Sequence, residues 1–128
     1  MYQNLILVGR IGTEPNLRYT LKGQPVVTFQ FATRENRWNE ENEPIPLTTW
    51  WHVSMFGEKA KALANGAHKG TKLLIEGTIN PAPDGNPRIF TRKTGEQGAS
   101  FDVTARMFRY LDSPAQNDND NTDFVFVG

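Results

Sequence analysis

The sequence predicts an all-β fold, a small five-stranded barrel with one short helix and a polar C-terminal tail. Three observations predict it. Five segments show strand periodicity, one segment changes to helical spacing, and the last stretch is too polar to bury a core of its own. A chain of 128 residues is one domain's worth.

The first strand is residues 4–10, where Leu5, Ile6, Leu7 and Val8 follow one another, so both of its faces demand burial. In 26–34, Val27, Phe29 and Phe31 alternate with Thr28, Gln30, Ala32 and Arg34. In 48–56, Trp51, Val53 and Met55 share one side, and Trp50, His52, Ser54 and Phe56 the other. Residues 71–79 hold Leu73, Ile75 and Ile79 in phase. In 100–108, Phe101, Val103, Ala105 and Met107 oppose Asp102, Thr104, Arg106 and Phe108. Between the third and fourth strands, residues 57–69 repeat Ala60, Leu63, Ala64 and Ala67 at helical spacing, with Gly66 or Gly70 as a stop. Five strands with a helix in that place are the arrangement of an OB-fold, a Greek-key barrel that binds oligonucleotides or oligosaccharides on one face.

Two long connections remain, 35–47 and 80–99, and connections of this length are usually functional. The domain is therefore read as residues 1–111, and residues 112–128 as an acidic tail with an apolar tip. No uninterrupted apolar run approaches the roughly 18 residues of a membrane span. The N-terminus reads as a strand rather than a secretion signal, so a cytoplasmic protein is expected. The absence of cysteine excludes disulfides and thiolate chemistry.

Catalysis finds little support. His52 and His68 lie on different elements, and neither belongs to an H-E-x-x-H or H-x-E pattern. The glycines of GRIG, Gly9 and Gly12, read as a turn without the lysine of a phosphate-binding loop. Glu40 and Glu41 lie in a polar loop with nothing to desolvate them. No enzyme, catalytic residue, metal or cofactor is expected.

Net charge is zero, but its distribution is not even. All 14 basic residues lie at or before Arg109, against ten acidic ones up to residue 110. The body therefore carries +4, and Asp112, Asp118, Asp120 and Asp123 give the tail −4. Aromatics add to this. Trp50 and Phe56 share the polar side of their strand, where stacked bases or a partner subunit would cover them. Trp38 and Phe90 sit in the long connections beside Arg34 and Arg37, and Arg88 and Arg92, as stacking platforms or as lids on the barrel. Trp51, on the side of Val53 and Met55, reads as core or subunit interface.

The stretches NLILVGRIGTEPNLRYTLKGQPVVTFQFAT, TTWWHVSMFG and KGTKLLIEGTI closely resemble the bacterial and mitochondrial single-stranded DNA-binding proteins. The resemblance runs from about Asn4 to Leu111. It implies a homotetramer that protects single-stranded DNA in replication, recombination and repair, at the nucleoid. It implies base stacking on Trp38, Trp50, Phe56 and Phe90. Phosphate contacts follow for Arg10, Arg18, Arg34, Lys69 and Lys72, with Arg88, Arg92 and Lys93 on the second long connection and Arg37 beside Trp38. The two-sided apolar first strand is expected partly in the subunit interface.

There are departures. Phe90 stands where the family usually has tryptophan, and Glu58 where lysine is common. The tail ends in DFVFVG rather than Pro-Phe. Asp123, Phe124 and Phe126 still combine charge with aromatic anchors for replication and repair partners, or add a strand to a barrel. Two further readings stay open at this stage: a relative that mainly bridges replication proteins, and RNA as the ligand.

Overall fold

The computed structural model describes residues 1–111. The tail positions Asp123, Phe124 and Phe126 lie outside the described residues. The elements run β1 (Leu5–Ile11), β2 (Asn16–Tyr19), β3 (Pro25–Trp38), β4 (Pro44–Phe56), α1 (Glu58–Gly66), β5 (Lys72–Ile79), β6 (Arg88–Thr91) and β7 (Gln97–Tyr110).

Five of these strands close the barrel in the order β1, β5, β7, β4, β3. The last seam, from β3 back to β1, consists of Arg10 opposite Ala32 and Ile11 opposite Phe31. Among the described residues only β4 and β7 run parallel. This is the OB-fold that the strand count predicts, with α1 between its third and fourth barrel strands. Among the described residues no helix is long and apolar enough to cross a membrane.

Strand alternation decides the core. Val27, Phe29 and Phe31 of β3 meet Val53 and Met55 of β4 and Leu73 and Ile75 of β5, all buried. Ala60 and Leu63 of α1 close one end of the barrel, and Ala67 just after the helix joins them. The helix stops at Gly66, because Ala67 is already extended (φ −107°, ψ 148°).

Several expectations are corrected. The connection 35–47 is mostly strand: β3 and β4 pair without a break from Val26–Phe56 to Trp38–Pro44. Its tip is tight because the Asn39 Oδ1 accepts the Glu41 and Glu43 amides at 3.0 and 2.9 Å. Asn42 supplies the left-handed turn residue (φ 63°). The connection 80–99 likewise holds β6, paired with the start of β7. β2 has too little alternation to announce itself, since only Leu17 of its four residues is apolar and half-buried.

In β7 the predicted phase holds for Val103 and Ala105 and then reverses. Gly77 faces Ala105 and Glu76 faces Met107, which leaves Arg106 as an extra residue. A bulge of this kind turns every later side chain to the other face. Phe108, opposite Ile75, packs on the core where Met107 was expected. Phe101 and Ile79 also leave the predicted core and are exposed, Ile79 as the last residue of β5. β1 buries Leu7 and Ile11 but exposes Ile6, so the described residues leave the apolar demand of its second face unmet.

Candidate nucleic-acid interface

Residues that face each other across a ladder project to the same side of the sheet. On the outer side of β3 and β4 the facing pairs are Val26–Phe56, Thr28–Ser54, Gln30–His52, Ala32–Trp50, Arg34–Thr48, Asn36–Pro46 and Trp38–Pro44. Trp38, Trp50 and Phe56 thus share one side, at 63%, 53% and 45% exposure. Trp50 and Phe56 are about 20 Å apart along the strand at roughly 3.3 Å per residue. The polar residues His52 and Ser54 lie between them.

Neighbouring strands widen this side. β2 sets Arg18 beside Val26, in the row of Phe56. Lys72 faces Arg10, Arg10 faces Ala32, and Ala32 faces Trp50. Two of the predicted phosphate contacts therefore stand in one row with the predicted stacking ring. β7 adds Asp102 beside His52 and Thr104 beside Ser54.

Phe90 comes from β6, opposite Gly98. It shares a cleft of about 550 Å³ with Trp50, lined also by Gln30, His52, Ser100 and Asp102. The Arg92 guanidinium lies 5.2 Å from the centre of the Phe90 ring and covers one of its faces. Arg92 also donates to the Gln97 carbonyl at 3.0 Å.

The remaining cations divide. Arg34 is exposed, in register with Thr48 on the Trp50 side, but also borders a cleft with Trp51, and Lys69 and Lys93 are exposed at turns. Arg10 donates to the Gly70 carbonyl at 2.8 Å while its backbone holds the barrel seam. Arg88 donates to the Asn80 carbonyl at 3.1 Å and lies 3.9 Å from Asp102, which fixes the β6 hairpin to the barrel. Arg37 stands on the opposite side of the ribbon from Trp38, paired with Glu35 at 2.8 Å. At the same tip the Asn39 side-chain amide holds the Glu43 carboxyl below the usual carboxylate range.

Trp51 takes the other side. It is half-buried against the core, tilts over Phe101 at 5.2 Å, and donates from its indole to Thr33 at 2.9 Å. With Ile6, Leu7, Val8 and Phe101 it lines a second cleft, of about 520 Å³.

Sequence reasoning missed the role of the GRIG glycines, which form no turn. Gly9 lies inside β1, and Gly12 directly follows that strand. A β-carbon on Gly12 would come within 2.3 Å of the Trp50 ring, so the glycine is the seat on which the indole rests. Gly12→Ala is expected to push the ring aside and shift the tryptophan emission maximum. The fold should survive, because the colliding group is a side chain; a melting curve beside the emission spectrum checks both. Gln30, Ser100 and Asp102 were also missed as cleft residues, although their parity with Trp50 or its neighbours was readable. Among the described residues no three of His, Cys, Asp and Glu cluster to hold a metal.

The chain resembles known proteins along most of its length. It is 32% identical over 118 residues to a single-stranded DNA-binding protein of Thermotoga maritima, covering 90% of this chain and 78% of that one. A single-stranded DNA-binding protein of Neisseria meningitidis is 29% identical over 114 residues, and the match spans 88% of this chain but only 62% of the relative. Among solved structures, a small single-stranded DNA-binding protein from Streptomyces coelicolor shares the fold, with a TM-score of 0.69 at 21% identity over 84% of this chain and 93% of that one. The family model described as the single-strand binding protein family matches residues 2–111. On that match, which takes in every described strand, the chain belongs to the single-strand binding protein family.

Proposed function

We propose that this chain binds single-stranded DNA with little sequence requirement and protects it in replication, recombination and repair. No reaction is part of this function. Residues 1–111 form the binding domain. The observation that carries the reading is the row Lys72, Arg10, Ala32, Trp50, which ends on an exposed indole facing Phe90 across one cleft. Cations neutralise phosphates and rings stack bases, and neither depends on base identity. Trp38 and Phe56 extend the stacking track along β3 and β4. Arg18, Arg34, Lys69 and Lys93 extend the charge, whereas Arg37 and Arg88 serve neighbouring groups of the protein first.

The test is the binding of labelled oligo(dT) at several salt concentrations. Four to six neutralised phosphates give a slope of log K against log salt of about −3 to −4. Binding that ignores salt, or that prefers duplex DNA, would overturn the proposal.

The same reading includes a homotetramer. It is supported by the apolar residues Ile6, Trp51 and Phe101 of the second cleft, and by residues 5–8 of β1, which among the described residues have no strand neighbour on the side away from β5. Light scattering is expected to give four times the 14.5 kDa chain mass. A monomer in solution contradicts that part alone. For the tail, Asp123, Phe124 and Phe126 are proposed to engage replication and repair proteins. Deleting residues 112–128 should abolish such contacts while sparing DNA binding, and unchanged contacts would refute it.

A further inference from the structure

A carboxylate sits where a polyanion is proposed to bind. Asp102 lines the Trp50–Phe90 cleft, in register with His52 and through it with Gln30. Its side chain is only 14% exposed. One oxygen accepts the Ser100 hydroxyl. The other lies 3.9 Å from the Arg88 Nε, beyond hydrogen-bond reach, and that Nε donates to the Asn80 carbonyl instead. Each carboxylate oxygen accepts more than one hydrogen bond, so Asp102 keeps acceptor capacity within the cleft.

The charge of Asp102, only partly offset by the Arg88 guanidinium, disfavours a phosphate at that spot and leaves it to a base edge. From these residues we propose that Asp102 makes this cleft a subsite selective for nucleobases that carry an amino group, preferring cytosine, adenine or guanine to thymine. The inference rests on the single-strand-binding reading. An exocyclic amine donates to a carboxylate, as the N4 amine of cytosine does to Asp or Glu. The Watson–Crick edge of thymine has a single donor, the N3–H, flanked by two carbonyl oxygens, so a carboxylate that accepts from it must bring its charge against those carbonyls once stacking has excluded water. Binding along the whole track remains tolerant, with one position biased.

The experiment compares oligo(dC) with oligo(dT) of one length at pH 8. Relative to the unmodified protein, Asp102→Asn is expected to shift the dC-to-dT affinity ratio about tenfold toward dT. Asp84→Asn, which removes an equal charge from the connection 80–99 but outside the cleft, is expected to keep the ratio. A measurement that needs no variant uses oligomers of N4,N4-dimethyl-deoxycytidine, which keep the ring but carry no N–H. These should bind the unmodified protein about tenfold more weakly than oligo(dC). Equal affinity for the two cytosine oligomers, an unchanged ratio in Asp102→Asn, or an equal shift in Asp84→Asn would each overturn the proposal. Failure of the unmodified protein to bind any of the oligomers would instead overturn the binding reading beneath it.

Discussion

Replacing Trp50 by alanine is expected to weaken oligo(dT) binding by about 1–3 kcal/mol, and removing Phe90 as well should deepen the loss. The indole is 53% exposed, so little of the fold depends on it. It rests on the bare backbone of Gly12, closes one wall of the Phe90 cleft, and ends the Lys72–Arg10–Ala32 row. A base stacked there gains apolar contact from the ring while its phosphate lies within the field of those cations. Equilibrium titration, with a melting curve to confirm an intact barrel, measures the loss. Unchanged affinity would mean that the strand crosses another part of the surface.

Gly9→Ala is expected to act on the fold instead, destabilising the barrel by about 3 kcal/mol or more. A β-carbon at Gly9 would lie 2.0 Å from the Ala32 carbonyl oxygen and 3.2 Å from the Phe31 ring. The first of these is backbone and cannot rotate away. It is also part of the seam, which has only the two facing pairs Arg10–Ala32 and Ile11–Phe31. Opening that seam would expose Phe31 and Ile11, both buried. Denaturant unfolding of the variant against the parent gives the difference. A change below about 1 kcal/mol would mean that the seam is looser than the register implies.

Much of this was legible in the sequence because strand side chains alternate. The parity of Val53 and Met55 against Trp50 and Phe56 placed two aromatic rings on the outer face, and both are there. Alternation fails wherever the backbone departs from it. The extra Arg106 exchanged the places of Met107 and Phe108, and nothing local in FDVTARMFRY marks that bulge. Polar strands escape for another reason. The outer halves of β3 and β4 are held by their ladder and by the Asn39 turn rather than by a buried face, so they looked like a loop. Gly12 and Asp102 depend on partners from other strands, and a single strand read alone does not reveal which partners those are.

The central claim is that the outer side of β4, not the Trp51 side, meets the strand. Variants that retain one tryptophan each, Trp50 or Trp51, separate the two sides when oligo(dT) is added to saturation. The fluorescence of Trp50 should be strongly quenched, and that of Trp51, hydrogen-bonded to Thr33 on the opposite face, should hardly change. Quenching of Trp51 with Trp50 unmoved would contradict it.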